Sequence, residues 1–386
     1  MKSFRIGDLE IRIPIVQGGM GVGISMSGLA SAVANMGGIG IISTVAIGLT
    51  DREAMKNYKK RNIAVLQREI RKARELSAGV LGVNIMAVLT DFSEMVKTSI
   101  EEGIDIIFSG AGLPLDLPKY LTEGSKTKLV PIVSSGRAAN IIATKWKQNY
   151  DYLPDAFVVE GPKAGGHLGF KANALDEIGN TLENLVDEVL KVARDLKERF
   201  NKDVPVIAAG GIYSGDDIYK IIEQGASAVQ LGTRFVATEE CDAAPEFKNA
   251  FIAAKAEDIQ IIKSPVGMPG RTIFNNFLEE AVKGNRRPKV CMHHCIKSCD
   301  PKTTSYCIAD ALFQAYKGNL NDGFVFTGTN AGRIEKISTV KELINELVTE
   351  YEVSEKASIE STVNAVLNST SADHLPGNNG EQDREI

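Results

Sequence analysis

The chain has 386 residues, 44% of them apolar and 6% aromatic, which is enough for one large α/β domain or two domains. Its net charge is −5, from 44 basic and 49 acidic residues, so electrostatics gives no reason to expect binding to nucleic acid or to a membrane surface. The start lacks a secretory signal pattern, and no apolar run reaches about 18 residues. We therefore expect a soluble, cytoplasmic protein.

Short apolar runs alternate with amphipathic helical patterns over roughly the first 230 residues. Each run ends in a polar or glycine-rich loop, and the runs begin near positions 11, 39, 80, 105, 129, 155, 204 and 228. Strands separated by helices favour a parallel sheet with right-handed crossovers. Eight such units predict a TIM (β/α)₈ barrel with its ligand site at the carboxyl ends of the strands. A doubly wound open sheet is the alternative.

The pattern changes after the eighth strand, which suggests the division of the chain. We predict a barrel core over residues 1–240 and a cysteine-containing extension or lid over 241–335 that packs on the barrel mouth or side. C-terminal helices follow over 336–367, first at 338–351 and then, more weakly patterned, at 353–367. Residues 368–386 are polar, with few apolar residues, and predict a disordered tail.

A glycine-rich loop follows the sixth predicted strand, with the sequence EGPKAGGHLG over residues 160–169. It contains His167, one of four histidines in the chain. Glycine lets a backbone approach a ligand closely, and an imidazole in such a loop is suited to proton transfer or to hydrogen bonding. The alternative is a tight turn with a solvated histidine.

Two late strands end in pairs that are typical of phosphate binding in barrels, Gly210-Gly211 and Gly232-Thr233. Ser214 could cap the next helix or donate to the same phosphate. Neutral polar residues at other strand ends could hydrogen-bond a flavin ring or ribityl chain: Gln17, Asn84, Ser134, Ser135 and Gln230. Flavin mononucleotide (FMN) would account for both features, whereas the alternative is that these are ordinary barrel turns.

Five motifs occur in a characteristic order: QGGMG at 17–21, GVN at 82–84, EGPKAGGH at 160–167, AAGGI at 208–212 and VQLGTRF at 229–235. Over about residues 5–280 the chain thereby resembles the nitronate monooxygenase family, formerly 2-nitropropane dioxygenases. That family includes the flavin-dependent enoyl-ACP reductase II.

The resemblance implies an FMN-binding TIM barrel in which His167 corresponds to the active-site histidine. It further implies that the cofactor is held by Gly18, Gly19, Met20, Asn84, Gly165, Gly166, Gly210, Gly211, Gln230, Gly232 and Thr233, to which we add Ser135. The chain departs from the family at Lys163, where glutamate is usual. It also has Ser134-Ser135 at the fifth strand's exit, where some monooxygenases carry a lysine.

Four of the five cysteines lie within 17 positions, at Cys291, Cys295, Cys299 and Cys307. If this segment is helical, the first three fall on one face and could ligate zinc or an iron–sulfur cluster. The spacing matches no standard ferredoxin or zinc finger. Free thiols, a disulfide or a redox switch are the alternatives.

These observations predict an FMN-dependent oxidoreductase with a small-molecule substrate. Oxidation of alkyl nitronates by O₂ to a carbonyl compound and nitrite is the first hypothesis. The alternatives are enoyl thioester reduction with NAD(P)H, and a flavin- and cysteine-containing redox protein with little catalysis. The sequence leaves open whether the chain forms a homodimer.

Overall fold

The computed structural model describes residues 1–51, 57–175, 177, 179–288, 291 and 293–372. At its centre lies an eight-stranded sheet. Its strands are β3 (Ile15–Gln17), β4 (Gly40–Ser43), β5 (Leu81–Met86), β6 (Ile106–Gly110), β7 (Lys128–Val133), β8 (Phe157–Glu160), β10 (Val206–Ala209) and β11 (Ala228–Leu231).

The sheet forms a barrel in which all neighbouring strands are parallel, in the order β3-β11-β10-β8-β7-β6-β5-β4. A parallel bridge between Val16 and Ile39 joins β3 to the residue before β4 and closes the circle. The predicted TIM barrel is therefore confirmed, and the open-sheet alternative is excluded. All eight strands present their carboxyl ends on one face.

Side chains alternate along each strand between the inside of the barrel and the layer under the helices. Val158 and Ile207 belong to a fully buried cluster of strand residues that fills the barrel. Val159 and Ala208 belong to the larger cluster that also includes helix residues. Glu160 lies two residues after Val158 on β8, so its side chain points the same way, toward the inside of the barrel, at the carboxyl end of the strand.

The first predicted strand, residues 11–17, is divided in the structure. Its start belongs to a separate hairpin of β1 (Phe4–Ile6) and β2 (Leu9–Ile11), and only β3 enters the barrel. Ile6 and Ile11 pack into the barrel-filling cluster, so the hairpin contributes to the barrel core. Proline has no N–H for a sheet hydrogen bond, and Pro14 accordingly stands just before β3.

Helices separate most of the barrel strands and cover the barrel. They are α1 (Ser27–Asn35), α2 (Tyr58–Leu76), α3 (Phe92–Glu101), α4 (Gly136–Tyr150), α5 (Leu182–Phe200), α6 (Gly215–Glu223) and α7 (Thr233–Val236). The extension adds α8 (Pro245–Ala253), α9 (Asn276–Val282), α10 (Ile308–Tyr316) and α11 (Val340–Ala372). A 3₁₀ turn at Leu117–Tyr120 lies between β6 and β7.

The extension forms a small antiparallel sheet with the histidine loop. Its strands are β12 (Ile259–Lys263), β13 (Pro269–Ile273) and β14 (Val325–Phe326), and β13 also pairs with β9 (Gly166–His167). Because β9 follows barrel strand β8, this pairing fixes the extension over the loop that contains His167.

The C-terminal region forms one long helix where two were predicted. No glycine or proline interrupts residues 340–372, and α11 runs continuously through Tyr351 and Val353. It packs on α6, where the Gly215 N–H donates to Glu350 Oε2 at 2.7 Å. Of the predicted tail, residues 368–372 continue α11, and 373–386 lie outside the described residues. No helix within the described ranges has the length and apolar character needed to cross a lipid bilayer.

Candidate active site

A cavity of about 1130 Å³ lies at the carboxyl ends of the barrel strands. The predicted catalytic His167 lines it. So do almost all of the predicted cofactor-binding residues, namely Gly18, Gly19, Met20, Asn84, Gly165, Gly166, Gly210, Gly211, Gln230, Gly232 and Thr233. Barrel closure brings these residues together, since they come from the ends of five different strands.

Ser135 is the one predicted cofactor-binding residue that is not among the residues lining the cavity. Its side chain caps α4, where the Oγ accepts from the Ala138 N–H at 3.2 Å, and the neighbouring Ser134 lines the cavity instead. Ser214 likewise caps α6 through the Asp217 N–H. Gln17 is fully buried, and its Oε1 accepts from the Ile41 N–H at 2.9 Å. These three side chains stabilise the barrel scaffold.

The floor of the cavity carries polar groups that the protein leaves without partners. The Oγ of Ser43 and the Oε1 of Gln230 are buried and make no hydrogen bond. Buried polar atoms are nearly always satisfied, so these two positions indicate a polar ligand. Glu160, which ends β8, also lines the cavity, and burial raises the pKa of its carboxyl to about 7. Sequence reasoning did not assign Glu160 to the site.

His167 is held at the cavity edge by residues from the extension. Its Nε2 lies 2.7 Å from the Oγ of Ser264, and its ring centroid lies 5.0 Å from that of Phe326. Burial lowers the imidazole pKa to about 4. The side chain is therefore neutral near pH 7 and can both donate and accept a hydrogen bond.

The glycine loop before His167 is clamped between the barrel and the extension. Arg271, on β13, donates to the backbone carbonyls of Pro162, at 2.8 Å, and Ala164. A Cβ atom at residue 165 would lie 2.5 Å from the carbonyl carbon of Thr327, so only glycine fits there. Gly166 has a φ of +74° and faces open space.

Residues 327–330 close the opposite side of the cavity, and sequence reasoning missed them. Asn330 donates to the carbonyl of Gly211 at 2.8 Å, and the Gly328 N–H donates to the Thr233 hydroxyl at 3.0 Å. Gly210 and Gly211 have φ values of +96° and +90°, which favour glycine. No local signal identifies residues 327–330, because they reach the site only through the sheet of the extension.

Residues 293–299 do not form the helix that the cysteine spacing suggested. Cys295 lines the cavity and its backbone carbonyl accepts from the Thr90 N–H at 3.2 Å, while Ile296 forms an isolated bridge to Leu89. Over the described part of the chain, no three histidine, cysteine or acidic residues are grouped as ligands of one metal ion. The predicted metal site at Cys291, Cys295, Cys299 and Cys307, whether for zinc or for an iron–sulfur cluster, thus gains no support from the geometry of the described residues.

The site suits a ligand that has a polar ring and a phosphate. The unpartnered atoms of Ser43 and Gln230 could pair with polar atoms of such a ring. Gly210 and Gly211 line the cavity at the end of a late barrel strand, where barrels commonly bind phosphate. A Cβ atom at residue 19 would lie 2.4 Å from that of Asn84, so Gly19 lets the first loop pass close to this floor. A flavin mononucleotide has both a polar ring and a phosphate.

Comparison with known proteins agrees with this geometry. The chain is 25% identical to a 5-hydroxy-7a-methyl-1-oxo-octahydro-1H-indene-4-carboxyl-CoA dehydrogenase of Rhodococcus jostii, over 88% of this chain and 92% of that protein. It is 27% identical to a protein of Staphylococcus aureus named "Probable nitronate monooxygenase", over 70% and 78% of the two chains.

Solved structures share the fold. FabK from Thermotoga maritima superposes with a TM-score of 0.70 at 28% identity, covering 91% of this chain and 96% of that one. The nitroalkane oxidase of Streptomyces ansochromogenes gives 0.68 at 21% identity, covering 90% and 98%. The nitronate monooxygenase family model matches residues 2–350. The chain therefore belongs to the nitronate monooxygenase family of flavin-dependent oxidoreductases.

Proposed function

We propose that the chain binds FMN and oxidises or reduces a bulky apolar acyl substrate, such as a thioester carried on a phosphate-bearing group. Asn84 and Gln230 would contact the flavin ring or ribityl chain, and the backbone at 210–211 and 232–233 would hold the phosphate. When bound, FMN supplies hydride exchange with the substrate.

The size of the cavity is the main support for a bulky acyl substrate. Its volume of about 1130 Å³ exceeds the ~300–1,000 Å³ typical of a pocket for one drug-sized ligand. A flavin and an alkyl nitronate of a few atoms would leave much of it unfilled. Apolar side chains line the part formed by the extension, including Ile261, Met268 and Leu312. An extended or polycyclic acyl group would bury this surface.

The charges around the cavity support an anionic carrier. Among the described lining residues only Glu160 is acidic, whereas three are lysines: Lys163, Lys171 and Lys263. Phosphates of a carrier group would be attracted to these ammonium groups. The Rhodococcus relative is named for a coenzyme A thioester, which is consistent with this substrate class.

His167 would orient the reacting carbonyl. A neutral imidazole can donate a hydrogen bond to a carbonyl oxygen and stabilise the negative charge that develops there. Near pH 7 the imidazole has no positive charge with which to attract an anionic nitronate, because burial lowers its pKa to about 4. Ser264 hydrogen-bonds to one ring nitrogen, Nε2, and the other, Nδ1, would be the one to contact a ligand.

Nitronate oxidation, the first hypothesis from the sequence, is the second candidate. It is favoured by the family model and by the staphylococcal relatives, and it uses the same flavin and histidine. The product would be a carbonyl compound and nitrite.

Anaerobic flavin bleaching separates the candidates. The purified protein is mixed with NADPH or NADH, then with a long-chain enoyl-CoA, and separately with propyl-nitronate. Bleaching by the nicotinamide followed by reoxidation with enoyl-CoA would support the thioester proposal. Bleaching by nitronate alone would favour the second candidate, and bleaching by neither would favour a redox protein with little catalysis.

A His167→Ala variant tests the role of the imidazole. We expect it to retain FMN, because the other predicted contacts remain, and to lose about 10²–10⁴-fold in turnover, the typical contribution of a positioned proton-transfer group. An unchanged turnover would remove His167 from the mechanism.

A further inference from the structure

Glu160 is the one acidic side chain among the described residues that line the cavity, and the function proposed above gives it no role. It is half-buried at the carboxyl end of β8, so its accessible part faces the cavity. Within the described ranges, its carboxyl receives no hydrogen bond and forms no ion pair, and burial is the cause of its raised pKa.

Buried acidic side chains elsewhere in the described chain have hydrogen-bond donors. The Oγ of Ser27 donates to Glu69 Oε2 at 2.6 Å. The Nδ2 of Asn62 donates to Asp91 Oδ2 at 2.6 Å. A carboxyl that is withdrawn from water without a partner costs free energy, so such groups are nearly always satisfied. The unpartnered carboxyl of Glu160 therefore indicates contact with a ligand.

The strand register places Glu160 near a second polar group that has no partner. Ala209 on β10 pairs with Glu160 on one side and with Gln230 on β11 on the other. Neighbouring strands lie about 4.8 Å apart, so the Cα atoms of Glu160 and Gln230 stand roughly 10 Å apart. The Oε1 of Gln230 is buried without a hydrogen bond, and the small side chain of Ala209 lies between the two longer ones. Both groups thus border the same part of the cavity floor.

The two side chains are chemically complementary. The Oε1 of Gln230 can only accept a hydrogen bond, whereas a neutral carboxyl at Glu160 has an O–H that donates. Burial favours this neutral form, since it raises the pKa of Glu160 to about 7. The pyrimidine part of a flavin ring has an N–H between two carbonyl groups. It can therefore donate to Gln230 and accept from Glu160.

We propose that Glu160 is a flavin-contacting residue whose neutral carboxyl donates a hydrogen bond to a carbonyl oxygen of the ring, beside the amide oxygen of Gln230. This role depends on the FMN binding proposed above. Ionisation of Glu160 would remove the donor and place a negative charge against the ring oxygens, so FMN affinity should fall as the pH rises.

Few other charged groups face the carboxyl of Glu160. Of the strands paired with β8, β10 has no titratable residue, and β7 has only Lys128, at its opposite end. The charged residues of α5 lie on the outer side of β8. Burial lowers the pKa of His167 to about 4 and raises that of Cys295 to about 12, so neither changes charge near pH 7. The other charged residues that line the described cavity are Lys163, Lys171 and Lys263.

Titration of the FMN-free protein with FMN at pH 6 and pH 8.5 tests the proposal. Glu160→Gln keeps an N–H donor that does not ionise. Relative to this variant, the Kd of the unmodified chain should rise about 10- to 30-fold between the two pH values, because only the neutral carboxyl donates. The phosphate of FMN ionises with a pKa of about 6, but this affects both proteins and cancels in the comparison.

Two further variants separate the hydrogen bond from other effects. Glu160→Ala has no donor and should bind FMN several-fold more weakly than Glu160→Gln at pH 6. Glu198→Gln, at an exposed position of α5, is the matched control and should keep the pH dependence of the unmodified chain. Infrared spectroscopy adds a second readout, in which the C=O band of the neutral Glu160 carboxyl should persist to higher pH with FMN bound than without it.

An equal pH dependence in the unmodified chain and in Glu160→Gln would overturn the role of Glu160 while leaving FMN binding intact. So would an affinity that rises with pH relative to the variant, because the carboxylate would then be accepting a hydrogen bond from the ligand. If none of these proteins binds FMN at either pH, the proposed function fails as well. If Glu160→Gln does not fold, an infrared band that titrates identically with and without FMN would overturn the proposal.

Discussion

The Nε2 atom of His167 lies 2.7 Å from the Oγ of Ser264, a residue 97 positions later in the chain. His167 belongs to the loop after barrel strand β8. Ser264 directly follows strand β12 in the extension. Ser264 is 2% exposed, and its Oγ also receives the Val266 N–H at 3.4 Å. The extension thus sets the orientation of the imidazole.

Replacing Ser264 by alanine should lower kcat while leaving FMN bound. Loss of one hydrogen bond costs roughly 0.5–1.5 kcal/mol, so we expect about a 2- to 13-fold decrease in kcat. KM should change less than kcat, because the substrate contacts remain. Ser264→Thr keeps the hydroxyl and serves as the control that restores the rate. An equal fall in both variants would show that packing, and not the hydrogen bond, matters.

Glu160→Gln should remove a pH dependence of stability in the FMN-free protein. The pKa of Glu160 is raised from 4.5 to about 7, so the folded state favours the protonated form. The contribution of the Glu160 carboxyl to the free energy of unfolding is complete below pH 4.5 and is lost as the pH rises through 7. The neutral amide does not ionise. The variant should therefore gain stability relative to the unmodified chain by about 1–3 kcal/mol at pH 8.

Urea unfolding at pH 5 and pH 8 measures this difference. The gain should be small at pH 5, where the carboxyl of Glu160 is mostly protonated, and full at pH 8. An equal difference between the two proteins at both pH values would contradict the pKa assignment.

Gly19→Ala should destabilise the first barrel loop and weaken FMN binding. The new Cβ would lie 2.4 Å from the Cβ of Asn84 and 2.9 Å from its Cγ. Relief of such overlap costs about 1–3 kcal/mol. Thermal unfolding and FMN titration check the result. Gly179→Ala is the matched control, since a Cβ there meets no atom within 4 Å and should leave both quantities unchanged.

Lys163→Glu should weaken FMN binding. The aliphatic chain of Lys163 lies against Gly211, with its Cδ 3.1 Å from a Cβ placed there, and Lys163 lines the cavity beside the proposed phosphate site. Reversal of one charge at this exposed position should raise the Kd for FMN about tenfold at low ionic strength. The effect should shrink with added salt.

Fluorescence quenching of FMN gives these dissociation constants. Lys341→Glu, on the exposed surface of α11, is the charge-matched control and should bind as the unmodified chain does. If both variants weaken binding equally, the effect comes from net charge, and Lys163 has no special role.

Much of the barrel could be predicted from the sequence because it depends on local pattern. Apolar runs that end in glycine or polar residues define both the strands and the loops at their carboxyl ends. Closure of the barrel then brings the residues at these strand ends to one cavity, independently of how the extension folds. They include Gly18, Asn84, His167, Gly210 and Gln230. The sequence did not predict that Ser135 caps α4, because a serine at a strand end suits either a helix cap or a ligand contact.

The sequence by itself therefore determined the barrel, the family and the set of strand ends that meet at the cavity. Tertiary structure alone decided what surrounds them. The contacts of His167 with Ser264 and Phe326 and the closure by residues 327–330 depend on strand pairing between residues about 50 to 100 positions apart, which no local pattern encodes. The charge state of Glu160 is likewise a property of burial, and burial exists only once the barrel and its extension have packed together.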